Sequence, residues 1–276
     1  MHITYYDTIT ADADKLNISI NIPNSASQEL SNSLAAINIK GDNLNANVSD
    51  MIATALKDYN IHAQISNLLN ENSPMSICAD FGISRVDFKM DDIDVSANNP
   101  SGTLAMLSSN NSDNTSYIIA YNGDSLSFNM GEEMDFVTEA LNFNLSANHN
   151  SSQQDLLLQW NPHAGIKLTN AIFSMKDLTK PVYIPSIDFN YDTTGIVINK
   201  SSILFGNSDF SLQGSFTNVD EFIRKEELLI GNLDFTSRYT DINELMTIFS
   251  GMGDTTIVAN ENEAITDTIQ KEDDPF

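Results

Sequence analysis

The stretch Leu16-Asn17-Ile18-Ser19-Ile20-Asn21-Ile22 alternates apolar and polar residues at every position and ends at Pro23. Successive side chains of a β-strand point to opposite faces of the sheet, so the stretch is predicted to be a strand with one apolar and one polar face. Asn is a poor strand former, and burial of the isoleucines must therefore keep the segment extended. The same period of two recurs at residues 75–81, 86–90, 141–147, 187–191 and 210–214.

Turn signals separate these alternating runs. Residues 121–124 (Tyr-Asn-Gly-Asp) follow one run and precede another, and Asn-Gly supplies the two positive-φ positions of a type I′ hairpin. Residues 191–195 join two further runs, and the phase slip at 91–92 indicates a turn or a bulge. Roughly a dozen to sixteen strands at a spacing of about 8–15 residues indicate an all-β fold.

Helix signals are few. Ser49-Asp50 precedes an apolar stripe and predicts a helix over 50–58, and Asp241 with Glu244 forms a capping box before another helix. Residues 219–229 suit one further helical turn. So few helices cannot cover the apolar faces of a dozen strands. A second sheet, a closed barrel or a long sheet that curls on itself must do so, and only the last leaves an apolar trough.

Composition narrows the classes of partner. The chain has 276 residues, and 13 Lys+Arg against 38 Asp+Glu give a formal net charge of −25. Such a charge is repelled by nucleic-acid phosphates and by anionic membrane surfaces, so nucleic acid is not an expected partner. Hydrophobic residues make up 41% of the chain, which is enough for a core. No apolar run reaches the roughly 18–20 residues that cross a bilayer, and the first residues do not resemble a signal peptide.

No constellation of residues points to catalysis or to a cofactor. The aspartates at 12–14 and 91–94 lack the spacing of a calcium loop, and the glutamate pairs 132–133 and 226–227 are expected by chance among 38 acidic residues. Cys78 lies inside an alternating run, where an inert thiol is expected. We therefore expect no enzyme, no metal and no cofactor. Trp160 is interpreted as a strand-end aromatic packed against the sheet, with a sugar-stacking platform as the alternative.

The segment 156–253 resembles the C-terminal region of AsmA-family proteins, especially of the Bacteroidetes type. The motif that carries the resemblance most specifically is the run 205–214 (Phe-Gly-Asn-Ser-Asp-Phe-Ser-Leu-Gln-Gly), followed by a strand and by the helix that begins at Asp241-Ile242-Asn243-Glu244-Leu245. Its family-motif residues are Phe205, Gly206, Asn207, Ser208, Asp209 and Gly214.

The resemblance implies a fold and a setting. The AsmA family is similar to TamB and to bridge-like lipid-transfer proteins, in which a long, curved antiparallel sheet forms a groove. We therefore expect an all-β groove domain over 1–253, taco-like or an open barrel with two or three short helices, and an acidic flexible segment over 254–276. The resemblance further implies a fragment of a periplasmic protein of the Gram-negative envelope, held to the inner membrane by an N-terminal anchor outside this chain.

The function expected from pattern and resemblance together is non-enzymatic binding or conduction of phospholipid acyl chains in support of outer-membrane assembly. The expected partners are phospholipid or another acyl-chain lipid and envelope proteins. An apolar trough suits acyl chains because each buried methylene contributes about 0.8 kcal/mol. The alternatives are a structural or protein-interaction β module with a packed core and a carbohydrate-binding β domain. The candidates for the lipid groove are Leu126, Phe128, Leu141, Phe143, Leu145, Ile187, Phe189, Phe210, Leu212, Leu233 and Phe235.

Overall fold

The computed structural model describes residues 1–5, 9–22, 34–49, 51–67, 74–109, 114–224 and 226–249. Within these ranges the chain forms 17 strands and three short helices. The strands are β1 His2–Tyr5, β2 Ile9–Asp14, β3 Asn17–Asn21, β4 Leu34–Val48, β5 Ile52–Ser66, β6 Ser76–Met90, β7 Ile93–Asn98, β8 Ser101–Ser108, β9 Asn114–Gly123, β10 Ser125–Met130, β11 Met134–Thr138, β12 Ala140–Asn150, β13 Pro162–Met175, β14 Val182–Asp192, β15 Gly195–Phe205, β16 Ser208–Phe216 and β17 Gly231–Thr236. The helices are α1 Leu156–Trp160, α2 Val219–Ile223 and α3 Ile242–Phe249.

The strands form one large antiparallel sheet that curves in a ring without being a regular barrel. The expected curved all-β fold is therefore confirmed. Several short strands lie end to end and act as one long strand: β2 and β3 both pair with β4, β7 and β8 both pair with β6, and β11 and β12 both pair with β13. Strands β1 and β3 form one edge of the described sheet and β17 the other, because β1 pairs only with β2, β3 only with β4 and β17 only with β16.

A line of local breaks crosses the sheet at the middle of the long strands, and we call this line the seam. Lys15, Asp58, Asn99 and Asn170 have positive φ values of 44–50° at the seam. Asp124 separates β9 from β10 at the same height, and the registers of β14 with β15 and of β15 with β16 shift there. A break of this kind changes which side chains face a given side, as in β4, where the apolar residues change from odd positions (Ile37, Ile39) to even ones (Leu44, Ala46). The pairing of β4 with β5 continues across the break without a register shift.

Polar side chains bond to each other along the seam. The amide of Asn99 donates to the Asp124 carboxylate at 2.7 Å, and the amide of Asn170 donates to Glu139 at 2.6 Å. The Ser84 hydroxyl donates to Asp58 at 3.0 Å. Because Asn and Asp tolerate the left-handed region better than other residues that carry a side chain, they suit these positions.

The inner face of the ring is the apolar face. Every buried apolar side chain that lies on a strand faces this side, namely Ala13, Ala35, Tyr59, Ala97, Leu168, Ala171 and Phe205. Five of the seven, Ala13, Tyr59, Ala97, Leu168 and Ala171, lie within two residues of the seam positions. Away from the seam the apolar side chains are half-buried or exposed, and the opposite face carries Asn, Ser and Asp.

Two local predictions are wrong. Residues 52–66 form strand β5, not a helix over 50–58, because pairing with β4 and β6 along its length outweighs the local cap signal. The run 121–124 is not a hairpin, because β9 pairs with β8 and β12 while β10 pairs with β7 and β11. Gly123 has a different role: a Cβ there would lie 2.5 Å from the Tyr121 hydroxyl, whose ring lies along the strand over the glycine.

Other local predictions are confirmed. Residues 91–92 form the turn between β6 and β7, and residues 193–194 form the turn between β14 and β15. The carboxylate of Asp241 accepts a hydrogen bond from the Glu244 backbone N–H at 2.9 Å and caps α3. The segment 254–276, which was expected to be acidic and flexible, lies outside the described residues.

Candidate functional site

The candidate site is the apolar inner face, and its largest regular feature is a row of directly paired residues above the seam. We call it the upper row. It runs from β3 to β17 through cross-strand partners that the register places opposite one another: Ile18, Ile39, Ile61, Phe81, Gly102, Tyr121, Phe143, Ile166, Phe189, Ile198, Gly214 and Leu233. Directly opposed side chains of this kind contact each other, so the row is a continuous apolar band.

A second band, the lower row, lies on the other side of the seam. It consists mainly of phenylalanine and valine in consecutive partners: Phe88, Val95, Phe128, Phe136, Phe173, Val182 and Phe205. Because the seam shifts the phase of each strand by one residue, both rows face the inside of the ring. The two rows together give the inner face its apolar character over the length of the strands.

The predicted groove residues all lie on this inner face. Nine of the eleven are half-buried, and the two on the edge strand are more open, with Leu233 46% and Phe235 60% exposed. None of them reaches the burial that is typical of a packed core. Within the described residues, no second layer of strands or helices covers them.

Five of the predicted residues line one small apolar cavity of about 200 Å³ between β14, β15, β16 and β17. They are Ile187, Phe189, Phe210, Leu212 and Phe235. The rings of Phe210 and Phe235 stack with their centroids 5.6 Å apart. A dry cavity of about 150 Å³ lined by such residues can hold a benzene-sized group, so this volume suits a short stretch of an apolar ligand.

The structure separates the other predicted groove residues from this cavity. Leu126 and Phe128 lie on β10 below the seam, whereas Leu141, Phe143 and Leu145 lie on β12 above it. Sequence reasoning missed Ile198, Ser201 and Ile203, which complete the cavity wall on β15. The alternation of β15 changes phase between Ile198 and Ser201, and this bulge concealed the strand from a strict period-two search.

Two tyrosines place polar atoms in the apolar face. Tyr59 is only 2% exposed, and its hydroxyl lies over Gly41, where a Cβ would be 2.4 Å away. The hydroxyls of Tyr59 and Tyr121 are buried and have no hydrogen-bond partner among the described residues. Burial raises the pKa of both phenols, so they remain neutral at physiological pH.

The family-motif residues build a clasp between the β15–β16 turn and α3. The Glu244 carboxylate accepts a hydrogen bond from the Asn207 backbone N–H at 2.6 Å and pairs with Lys180, and these contacts lower the pKa of Glu244. The Arg238 side chain donates to the Asp209 carboxylate at 2.8 Å, and Arg238 and Tyr239 donate backbone hydrogen bonds to it, which lowers the pKa of Asp209. These contacts are structural, and they lie away from the cavity.

The remaining family-motif residues have defined positions. Ser208 is almost completely buried and accepts a hydrogen bond from the Asp241 backbone N–H at 3.0 Å, while Phe205 is a buried residue of the lower row. Gly214 lies in the upper row, where a Cβ would be 2.2 Å from the Asn232 carbonyl oxygen. The motif therefore fixes the fold at the edge of the sheet.

Trp160 ends α1 at the end of the ring where β12 stops and β13 begins. Its ring lies 4.5 Å from the His149 ring and 5.6 Å from the Tyr117 ring, measured between centroids. Trp160 therefore packs against the sheet, although it belongs to a helix and not to a strand. A polar cleft of about 410 Å³, which includes His149 and several asparagines, lies beside this cluster.

Titratable and nucleophilic groups are dispersed over the described residues. Burial raises the pKa of the Cys78 thiol, so it stays protonated and unreactive. Glu133 pairs with Lys176 and Glu226 with Arg224, at opposite ends of the strands. In the described part of the chain, no group of three or more His, Cys, Asp or Glu side chains is placed to hold a metal ion.

Comparisons with known proteins add no relative: no family model, no curated protein and no solved structure matches the chain. Among the described residues, no helix is long and apolar enough to span a bilayer.

Proposed function

We propose that this chain binds the acyl chains of lipids on its apolar inner face and performs no catalysis. The observation that carries the proposal is that the residues of the upper and lower rows, apart from the buried Phe205, stay half-buried or exposed over the described sheet. An apolar surface of this extent is costly to expose to water, and large exposed apolar surfaces mark sites of binding.

The chemistry of the face suits an acyl chain. Its cavity is walled by apolar side chains apart from Ser201, whose hydroxyl donates to the Asn199 carbonyl oxygen at 3.0 Å. Each methylene removed from water contributes about 0.8 kcal/mol without any directional requirement. A continuous apolar row therefore accepts chains of different length and needs no catalytic group.

The proposal extends to the setting of the protein. The clasp formed by the 205–209 turn and α3 gives a structural reason for the residues that resemble the AsmA family. We place the chain as a segment of a periplasmic AsmA-like envelope protein that handles phospholipid in support of outer-membrane assembly. Its partners are then phospholipids and envelope proteins.

Binding of a fluorescent fatty acid tests this function. The emission of cis-parinaric acid is expected to rise on addition of the protein and to fall when oleic acid displaces it. Phe235→Ser removes a cavity wall on the exposed edge strand, and we expect it to weaken binding about fivefold because it removes about 1 kcal/mol of apolar contact. Asn232→Ser lies on the same strand but on its opposite face, and it should leave the affinity unchanged.

Two results would contradict the proposal. Wild-type protein that does not raise the emission of the probe has no acyl site, and the packed-module alternative then gains support. Equal losses in the Phe235 and Asn232 variants would mean that the probe binds to the edge strand in general and not to the inner face.

A further inference from the structure

The end of the sheet that carries α1 and α2 projects an unusual number of apolar side chains into solvent. We call this end the upper rim; it comprises the ends of β9, β12 and β16 and the described residues 151–161, 217–224 and 226–230 that follow β12 and β16. In α1, Leu156 is 69% exposed and Trp160 is also exposed. After β16, the segment exposes Phe222, Ile223, Leu228 (85%), Leu229 and Ile230.

The inner apolar face ends one rung below this rim, and the polar pair His149 and Thr115 lies beyond it on the same face. Its last rung consists of Tyr117, Ala147 and Pro162, which are direct partners on β9, β12 and β13. Trp160 contacts this rung through its ring contact with Tyr117. The site that we propose for acyl chains is thus connected to the exposed tip through Trp160.

The chemistry of the tip fits the boundary layer of a bilayer. Leucine and tryptophan partition into the region between headgroups and acyl chains, where the tryptophan N–H can meet polar groups while its ring is buried. The second projecting segment carries two cations, Arg224 and Lys225, against the four acids Asp220, Glu221, Glu226 and Glu227. Arg224 is paired with Glu221 and Glu226, so the segment has no excess of positive charge to attract an anionic surface. A net charge of −25 repels anionic lipids and leaves a zwitterionic surface as the favourable one.

We infer that the upper rim docks on a zwitterionic lipid bilayer by inserting the tips of α1 and of the 222–230 segment, which brings the end of the inner face to the acyl chains. The docking itself depends only on the exposed rim. Its purpose, the entry of an acyl chain onto the inner face, rests on the proposed function.

The position of Trp160 makes the test direct, because it is the only tryptophan of the chain. Phosphatidylcholine vesicles should shift its emission to shorter wavelength, and phosphatidylcholine brominated on the acyl chains should quench it. Vesicles that contain half phosphatidylglycerol should bind less protein. In co-sedimentation with phosphatidylcholine vesicles, Leu156→Asp and Leu228→Asp should each lower the partition coefficient about tenfold, since each removes one inserted leucine.

The matched control is Ile242→Asp. Ile242 is 66% exposed, close to the value for Leu156, but it lies on α3 at the opposite end of the sheet. This variant should bind vesicles as the wild type does, with an unchanged circular dichroism spectrum in all variants.

Several outcomes would overturn the inference. Trp160 emission that neither shifts nor is quenched excludes insertion, and a Trp160 that stays open to iodide in the presence of vesicles does the same. An equal decrease of the partition coefficient in Leu156→Asp and Ile242→Asp would show that any exposed apolar residue contributes to vesicle binding and that the upper rim has no special role. The protein could instead not bind vesicles and self-associate, with the association lost in Leu156→Asp. That result would show that the rim is a protein–protein contact surface. If the protein binds cis-parinaric acid but not vesicles, only the docking inference is wrong. If it binds vesicles but not the fatty acid, only the proposed function is wrong.

Discussion

Gly206 shows how one residue can hold an element in place. Its φ of +58° lies in the left-handed region, and a Cβ at this position would be 2.4 Å from the carboxyl carbon of Glu244. Both facts favour glycine, because a side chain would strain the turn and would displace the carboxylate that receives the Asn207 N–H. The clasp between the β15–β16 turn and α3 therefore requires a residue without a Cβ at position 206.

We predict that Gly206→Ala loosens α3 and destabilises the protein by about 1–2 kcal/mol, the usual cost of a left-handed conformation with a Cβ. Hydrogen exchange of the Leu245 amide, which bonds to the Asp241 carbonyl oxygen, should become faster. Gly82→Ala is the control, since a Cβ there meets no atom within 4 Å. Unchanged exchange in Gly206→Ala would show that the clasp does not hold α3.

Tyr191 is the tyrosine whose pKa the fold raises most. Burial and the hydrogen bond that its hydroxyl donates to Asp220, at 3.0 Å, raise its pKa from 10.0 to about 12. The folded state then holds this proton to a higher pH than the unfolded state does. The stability that the group contributes is complete below pH 10 and is lost as the pH rises toward about 12.

We therefore predict a late phase in the absorbance titration of the tyrosines at about 295 nm, the wavelength at which phenolate absorbs. Tyr191→Phe should remove the component near pH 12, and Tyr239→Phe, which changes an exposed tyrosine, should leave it in place. Retention of the late phase in Tyr191→Phe would mean that the contact between Tyr191 and Asp220 does not govern it.

At the scale of elements, the seam explains why the sequence predicts short strands correctly but does not predict the full length of the long ones. Alternation places strands β3, β6, β12, β14 and β16, because an apolar residue at every second position is visible in the sequence, and Asp241 marks the start of α3 as its cap. The long strands are visible in the sequence only in pieces, such as 75–81 and 86–90 for β6, since the break between them changes the phase without shifting the register. The false hairpin at 121–124 has the same origin, because a break inside a long strand and a turn between two strands use the same residues.

The candidate site was predictable in part for the same reason. Five residues of the cavity stand in plain alternation, whereas Ile198 and Ile203 flank a bulge and escaped notice. The wrong helix over 50–58 illustrates the limit of local signals. Ile52 and Leu56 fit one face of a strand as well as one face of a helix, and only the pairing of this segment with β4 and β6 makes it a strand. No local pattern records such partners.

Asn170 provides a prediction at this scale. Its φ is 50°, its amide donates to Glu139, and its carbonyl oxygen accepts from the Tyr183 hydroxyl at 3.0 Å. Asn170→Ala should lower the free energy of unfolding by about 1–2 kcal/mol, measured in urea, because it removes two hydrogen bonds at a strained position. Asn60→Ala, at an exposed site on β5, should change it by less than about 0.5 kcal/mol. Equal effects would argue against a structural role of the seam.

At the scale of the whole molecule, the central feature is an apolar inner face that no second layer covers within the described part of the chain. A ring of strands with polar residues outside and two apolar rows inside has the architecture of a container for an apolar ligand. The acidic exterior keeps copies of the chain apart, because like charges repel, and so favours a ligand other than a second copy. The inner face and the upper rim are then parts of one surface.

The most direct measurement is photolabelling with a fatty acid that carries a diazirine along its acyl chain, with the labelled residues identified by mass spectrometry. We expect labels on the inner face, concentrated on Phe189, Ile198, Phe210 and Phe235 around the cavity, and competition by unlabelled oleic acid. Labels on the outer face, at residues such as Asn190 or Gln213, or labelling that oleic acid does not reduce, would contradict the claim that the inner face is an acyl-chain site.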